Sequence, residues 1–303
     1  MSVSPILLLL ALFLCVALIS GNNLAACVGT AVGARIVNQR FAVAIGICGF
    51  VLGLLTLGHA MINSASFLLP GDVGANLVPE VLLSTVAVFV LGNVLSVPFS
   101  ATSSLTGLLT GVSIAHRLSI DYAFLTYVVA VWVVVPALSI ATAFCSMRAM
   151  SKTPKNIWKR VTTHKCLIIA ASFLSAYAAG ANSLALIVAI SGFNITQISI
   201  AVVAIIFGSF FLSSRQIKRV GSEMYSLGYS SAYVTTMTST ALILFASANG
   251  IPLSSTQTLS AAVFGAGLSH KDRFMATKPF MMIIAGWIIA PLMSLCIGLL
   301  LVM

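Results

Sequence analysis

Two kinds of polar interruption each occur twice in an otherwise apolar chain, about half the chain apart. The first is Gly21-Asn22-Asn23, which returns as Gly180-Ala181-Asn182. The second is a run of serine and threonine that follows Pro98 and returns after Pro252. The asparagines Asn23 and Asn182 are 159 residues apart and the two prolines 154. Matched interruptions in two halves predict a duplicated membrane protein whose helices are broken at equivalent places.

Composition supports a membrane protein. Of the 303 residues 60% are apolar and only 7% are charged, whereas about a quarter of an ordinary soluble domain is charged. Ten apolar segments are too long for barrel strands and do not alternate, so we expect helices. The predicted fold class is an all-α polytopic membrane protein: two inverted repeats with broken or re-entrant helices and about 10–12 membrane segments. The apolar segments are 5–33, 41–62, 78–97, 99–115, 123–145, 166–191, 198–212, 232–248, 252–268 and 280–302.

The number of segments sets the relative orientation of the halves. Five segments in each half is an odd number, so the second half would enter the membrane inverted relative to the first. We therefore expect a first repeat at 1–145, a basic connector at 146–165 and a second, inverted repeat at 166–303.

The basic residues orient this arrangement in the membrane. If the connector is cytoplasmic, fourteen of the 15 Lys and Arg residues fall on the cytoplasmic side and only Arg117 falls outside, as the positive-inside rule requires. Both termini then lie outside. The net charge of +10 thus reflects the placement of basic loops on one side of the membrane. We expect a cell-membrane protein that lies in the lipid bilayer and does not bind nucleic acid.

The repeated asparagines are candidate ligands. A buried asparagine must be hydrogen-bonded, and a neighbouring glycine can release the helix. The freed N–H groups suit an anion and the freed C=O groups suit a cation. The alternative is a kink in which the asparagine bonds to a neighbouring helix. The predicted helix breaks are at Gly21, Gly180, Pro98 and Pro252.

The hydroxyl clusters extend the candidate site. Proline at a helix start leaves the following amides free, and hydroxyls add donors that can surround a tetrahedral oxyanion. The alternative for each cluster is simple helix capping. The predicted substrate-binding residues are Asn23, Asn182, Ser100, Thr102, Ser103, Ser254, Ser255, Thr256 and Gln257. The predicted cation-binding residues are Asn22, Asn23, Asn182 and Ser183.

Other functions lack the residues that they need. The chain has no nucleophile–base–acid set and its six cysteines are scattered, so we expect neither an enzyme nor a metal site. No carboxylate lies deep in an apolar segment, which argues against a proton relay. We expect His59, near the end of an apolar segment, to be interfacial, and the alternative is a proton relay. Gly49 and Gly53 form a small face for helix packing within the subunit or in a dimer.

At the repeated motifs the chain resembles the inorganic phosphate transporter (PiT) family of anion permeases. That family carries a GANDVAN-like motif twice, seen here at 21–27 and 180–186, and a P-x-S-T-T-H-like motif twice, seen here from Pro98 and Pro252. The resemblance implies an inverted-repeat transporter of phosphate, or in some members sulfate, coupled to sodium or protons. It also implies a homodimer, and a substrate and cation site built from both motif pairs.

The chain departs from the family pattern at its charged positions. The motif aspartate is Leu24 in the first copy and Ser183 in the second, and the motif histidine is Ser103 and Gln257. Three consequences stay open: sodium bound by neutral oxygens, protons carried on the substrate, or uniport.

Together these features predict a secondary transporter that moves inorganic phosphate by alternating access. One alternative is a sulfate or related oxyanion permease of the same fold. Another is a non-transporting anion sensor whose output surface is the basic connector. We expect no cofactor beyond a sodium ion or proton as the coupling ion.

Overall fold

The computed structural model describes residues 5–69, 74–94, 100–150, 157–218, 228–269 and 277–301, and this part of the chain is all-helical. Each predicted apolar segment overlaps one or more helices. A 3-10 turn at Gly58–Ala60 and a π-helical turn at Gly180–Leu184 connect neighbouring helices. The helices are α1 (Pro5–Gly33), α2 (Gln39–Thr56), α3 (Met61–Leu68), α4 (Gly74–Val94), α5 (Ala101–Ala115), α6 (Tyr122–Met150), α7 (Ile157–Ala179), α8 (Ala185–Ser191), α9 (Ile195–Phe211), α10 (Ser213–Lys218), α11 (Tyr229–Ala248), α12 (Ser255–Ser269) and α13 (Thr277–Leu300).

The length and composition of the helices confirm an all-α polytopic membrane protein. Within the described residues, five helical segments are long and apolar enough to cross a membrane: Pro5–Gly33, Gln39–Thr56, Tyr122–Met150, Lys165–Ser191 and Tyr229–Ala248. Shorter apolar helices accompany them: α9 packs against α1 and α2, and α5 packs against α13 and α4.

Equivalent helices exchange partners between the two halves. Helix α1 packs against α9 while α2 packs against α7, and α5 packs against α13 while α12 packs against α6. A side chain at Gly111 would collide with the carbonyl of Leu295, and one at Gly265 with the carbonyl of Ile140. Gly265 follows Gly111 by 154 residues, and Leu295 follows Ile140 by 155. The closest helix contacts therefore occur in matched pairs.

The helix ends that the sequence assigns to the basic side lie together. Ile36, after α1, shares a buried cluster with Ile168 of α7 and Ala232 of α11. Met147, near the end of α6, shares another with Val234 and Ala266. Four of these residues, Ile36, Met147, Ile168 and Ala266, stand within five positions of a basic residue, and Ala232 and Val234 lie near the start of the helix that follows the basic segment ending at Arg219. This grouping agrees with the predicted alternation.

The ends assigned to the opposite side also lie together. The hydroxyl of Ser113 in α5 donates to the carbonyl of Leu68 in α3 at 2.8 Å. The ring of His59 packs on Phe193, with centroids 4.7 Å apart. His59 is exposed, in line with the predicted interfacial position.

Helices α11 and α12 form an antiparallel hairpin. Val234, near the start of α11, and Ala266, near the end of α12, belong to one buried cluster. Residues 249–254 between them are the tip, where Gly250 has φ +67°. The tip contacts Asn182, which stands nine residues before the end of α8 at Ser191, roughly 14 Å at 1.5 Å per residue. The hairpin tip therefore lies within the apolar layer.

Helices α4 and α5 also pack against each other as a hairpin. The end of α5 lies beside Leu68, and only five residues separate Leu68 from the start of α4. Five residues reach at most roughly 18 Å, which is less than the thickness of the hydrocarbon core. The start of α4 and the end of α5 thus lie on one side, opposite to the side from which α11 and α12 enter.

The predicted break at Gly21 is wrong, because α1 is continuous from Pro5 to Gly33. A Cβ at Gly21 would lie 2.8 Å from the carbonyl oxygen of Gly208 in α9. The glycine therefore serves a close helix contact, and one glycine costs a helix only about 1 kcal/mol.

The predicted break at Gly180 is a π-helical turn rather than an interruption. A Cβ at Gly180 would collide with the backbone of Phe50 in α2, so this glycine also serves packing. The turn inserts one residue into the helix and changes the direction in which Asn182 points. Pro252 lies in the non-helical tip 249–254, and Pro98 lies outside the described residues.

Two further predictions are refined. Helix α6 continues to Met150 and α7 begins at Ile157, so helices extend into the predicted connector 146–165 from both ends, and residues 151–156 lie outside the described part. The small face of Gly49 and Gly53 packs within the subunit, against the backbone of Phe173 and Tyr177 in α7.

Candidate functional site

The two proline–serine motifs place equivalent helix starts. Ser100 caps α5, its hydroxyl accepting a hydrogen bond from the Ser103 amide at 3.3 Å. Ser254 caps α12, its hydroxyl accepting from the Gln257 amide at 3.2 Å. Both starts are buried, as expected for N-termini at the tips of two hairpins. Capping and free amides thus occur together, because one cap satisfies only one of the first N–H groups.

The surroundings of these helix starts are polar but uncharged. Most of the predicted substrate ligands are buried, and Thr256 is partly exposed. The Asp, Glu, Lys and Arg side chains whose burial the structure describes are all exposed: Arg35, Arg40, Glu80, Arg117, Asp121, Arg148 and Lys165. The described residues also hold no group of three or more His, Cys, Asp or Glu that suits a metal ion.

Three buried oxygens near the helix starts make no hydrogen bond to the protein among the described residues. They are Ser104 Oγ, Ser255 Oγ and Gln257 Oε1. A buried polar atom without a partner costs about 1–3 kcal/mol, so such atoms mark a place where a ligand, an ion or water fits.

Both N–H donors and the oxygen of the Asn182 side chain are hydrogen-bonded inside the protein. Its amide nitrogen donates to Ser247 Oγ at 3.1 Å and to the carbonyl of Ile251 at 2.9 Å. Its amide oxygen accepts from the Leu253 amide at 2.9 Å. Asn182 therefore holds the tip of the second hairpin.

Two residues that sequence reasoning missed also hold this tip. The hydroxyl of Ser64 in α3 donates to the Gly250 carbonyl. The indole N–H of Trp132 in α6 donates to the Pro252 carbonyl at 2.8 Å. Trp132 was visible only as one of two tryptophans 155 residues apart, and no sequence signal marked Ser64.

One hydrogen bond joins the two motif pairs directly. Thr102, in the first turn of α5, lies with its hydroxyl 2.9 Å from the hydroxyl of Ser183 in the π-turn. Both residues are buried. The structure thus brings the first serine–threonine cluster against the second asparagine motif.

The first asparagine motif lies on α1. Asn23 is buried and Asn22 is partly exposed. Ala26, one turn further on, shares a buried cluster with Leu259 and Val263 of α12. Helix α1 therefore lies against the second hairpin, beside the first half of α12.

A second hydroxyl pair lies between these motifs and the basic side. The hydroxyls of Thr30 in α1 and Thr236 in α11 are 3.0 Å apart, and both residues are buried. Thr30 stands seven residues beyond Asn23 and three before the end of α1. This pair was not predicted.

Comparison with known proteins gives the fold and motifs a family. The profile of the phosphate transporter family matches residues 19–298. A solved structure entitled "The sodium-dependent phosphate transporter" has the same fold, with a TM-score of 0.82, 17% identity, and 98% of each chain covered.

Two curated proteins are similar over most of the chain. A predicted phosphate permease of Methanocaldococcus jannaschii is 24% identical over 285 residues, covering 93% of this chain and 91% of that protein. The sulfate permease CysP of Bacillus subtilis is 22% identical over 305 residues, covering 94% and 83%. Because the family profile spans nearly the whole chain, including all four motif copies, this protein belongs to the phosphate transporter family.

Proposed function

We propose that this protein is a secondary transporter that carries inorganic phosphate across a cell membrane by alternating access. The observation that carries the proposal is the pair of buried, uncharged helix starts, at Ser100 and Ser254, on hairpins that enter from opposite sides. Helix N-termini carry partial positive charge and free N–H donors, which suit a tetrahedral oxyanion. Membership of the phosphate transporter family supports phosphate as that anion.

The architecture supports alternating access. Paired discontinuous helices at the interface of two repeats are the usual setting of such sites. The exchanged helix partners and the opposite entry of the two hairpins support the predicted inverted repeats. Each half has five membrane crossings if both hairpin helices cross and three if neither does. Both numbers are odd, so the charged loops lie on the sides predicted from the basic residues in either case. The homodimer expected from the resemblance stays a prediction.

Coupling to sodium needs cation ligands, and the motif carboxylates that could serve are replaced here by Leu24 and Ser183. Carrying a dianion inward against roughly 100 mV costs about 4.6 kcal/mol, at about 2.3 kcal/mol per charge. A co-transported cation offsets this cost. The unpartnered oxygens of Ser104, Ser255 and Gln257 offer neutral ligands for such a cation, and the solved structure of the same fold is named sodium-dependent. We therefore infer sodium coupling through neutral oxygens.

Transport into proteoliposomes tests the proposal. Purified protein is reconstituted, and radiolabelled phosphate uptake is measured with an imposed sodium gradient, an imposed proton gradient, or neither. We expect uptake that the sodium gradient accelerates. Uptake that ignores sodium but follows the proton gradient would assign coupling to the substrate's own protons. Phosphate binding without flux in any condition would replace the transporter by an anion sensor.

Sulfate is a second candidate substrate. The observation that favours it is the similarity to a sulfate permease, together with a site that holds no described carboxylate and so favours a full dianion. Competition separates the two: unlabelled sulfate and phosphate are each added to the labelled-phosphate assay. Inhibition by sulfate at a lower concentration than by phosphate would make sulfate the preferred substrate.

A further inference from the structure

We propose that Asn182, Ser64 and Trp132 act together as positioning residues that fix the second hairpin tip, and that Asn182 does not itself bind the anion. The proposal rests on the transport function proposed above. It reassigns a residue that the sequence predicted to be a substrate and cation ligand. Its starting point is the hydrogen bonding of three neighbouring carbonyls in the tip.

Three successive carbonyls are each bonded to a different element. Gly250 accepts from Ser64 in α3, Ile251 from Asn182 in the π-turn and Pro252 from Trp132 in α6. Non-helical backbone inside the apolar layer needs such partners, because lipid offers none. The three donors come from three separate elements, so the tip is held at three points rather than at one.

The side chain of Asn182 has no donor left for a ligand. An amide group offers two N–H donors, and in Asn182 these go to Ser247 Oγ and the Ile251 carbonyl. Its oxygen accepts from the Leu253 amide, immediately before the Ser254 cap. An anion could recruit the amide only by breaking its bond to Ser247 in α11 or its bond to the tip carbonyl of Ile251.

The consequence of this arrangement falls on the start of α12. The amides of Ser255 and Thr256 belong to the first turn and have no acceptor within the helix. Their direction is set by the residues before them, which the three donors fix. The same donors neutralise the partial negative charge of the tip carbonyls, which would otherwise repel an anion at this helix start.

The experiment compares residues that hold the tip with close neighbours that do not. The first pair is Ser64→Ala and Ser66→Ala, since Ser66 is exposed on the same helix and bonds only to Asn63. The second pair is Asn182→Ala and Asn249→Ala. Asn249 is the first residue of the tip, but its side chain is exposed and donates to the Phe245 carbonyl in the preceding helix α11, so it does not hold the tip to another element. Trp132→Phe keeps an aromatic ring and removes the N–H. Each variant is reconstituted, and KM and kcat for phosphate uptake are measured together with the melting temperature of the purified protein.

We expect Ser64→Ala and Trp132→Phe each to raise KM by about 5- to 10-fold, the size expected for one lost buried hydrogen bond. Asn182→Ala removes three such bonds and should raise KM by at least as much. We expect kcat to change less, and Ser66→Ala and Asn249→Ala to match the unmodified protein. The double variant Ser64→Ala/Trp132→Phe should raise KM by less than the product of the single effects, because both bonds hold one tip.

A raised KM for Asn182→Ala alone, with Ser64→Ala and Trp132→Phe unchanged, would overturn the proposal and make Asn182 an anion ligand. If Asn182→Ala does not fold, the other two variants decide the question. If the unmodified protein carries neither phosphate nor sulfate, the transport function fails. The same variants then test the tip proposal through the rise in melting temperature that inorganic phosphate causes. Each tip variant should need about 5- to 10-fold more phosphate than the unmodified protein for the same rise.

Discussion

At the residue scale, the contact between Ser183 and Thr102 shows how a neutral side chain occupies a position where the family motif has an aspartate. The two hydroxyls are 2.9 Å apart and buried, with the N-terminal turn of α5 around Thr102. A carboxylate there would bring a full negative charge to a helix start that is proposed to receive an anion. Serine keeps the hydrogen bond and leaves the site uncharged.

This contact predicts the effect of restoring the charge. Ser183→Asp should raise the KM for phosphate about tenfold or more, since about 1.4 kcal/mol of repulsion already gives that factor. It should also make uptake depend more steeply on sodium, because the new carboxylate favours a cation nearby. The matched control is Ser183→Asn, which adds the same volume without charge. Equal KM values for the two variants would show that volume rather than charge sets affinity.

At the scale of helices, glycine residues set how closely the two halves approach. Gly111 of α5 faces the Leu295 carbonyl of α13, and Gly265 of α12 faces the Ile140 carbonyl of α6. These are equivalent contacts in the two halves, so an added methyl group should have a similar effect in each.

Gly111→Ala and Gly265→Ala should each destabilise the protein by about 1–3 kcal/mol, the usual cost of overpacking against backbone. The measurement is the thermal unfolding midpoint in detergent. The control is Gly228→Ala, because no atom lies within 4 Å of the position that a Cβ would take there. A midpoint for Gly265→Ala equal to that of the control would contradict this packing.

Helix positions were predictable from the sequence at this scale, but helix continuity was not. Apolar runs and the cap residue Ser254 located the helices, because burial in lipid requires long apolar segments. The glycines Gly21 and Gly180 were interpreted as breaks, although each meets a neighbouring backbone in the folded chain. A glycine that breaks a helix and one that admits a neighbouring helix look the same in a sequence.

At the scale of the whole molecule, the helix ends fall into two groups that agree with the alternation expected from the basic residues. Ile36 and Ile168, which stand close to basic residues, lie together with Ala232 near the start of α11, and Ser113 lies with Leu68 at the other group of helix ends. The positive-inside rule then predicts that the group of ends near the basic residues is cytoplasmic.

Labelling of single cysteines tests the topology in intact cells. The six native cysteines are replaced, and one cysteine is introduced at Arg117, Arg35 or Lys165, which are all exposed. A membrane-impermeant maleimide should label the cysteine at 117 and should label those at 35 and 165 only after permeabilisation. Labelling at 35 in intact cells would reverse the orientation.

The sequence by itself determined the class, the helix positions and the repeated motif residues. These follow from local properties: apolar length, proline and capping residues, and repeated spacing. The tertiary structure decided which of those residues are available to a ligand. The amide of Asn182 is hydrogen-bonded to the hairpin tip. Ser64 and Trp132 also donate to tip carbonyls, although neither belongs to a motif. Hydrogen-bond partners 69 to 186 residues apart depend on how helices pack, and a single sequence does not contain that information.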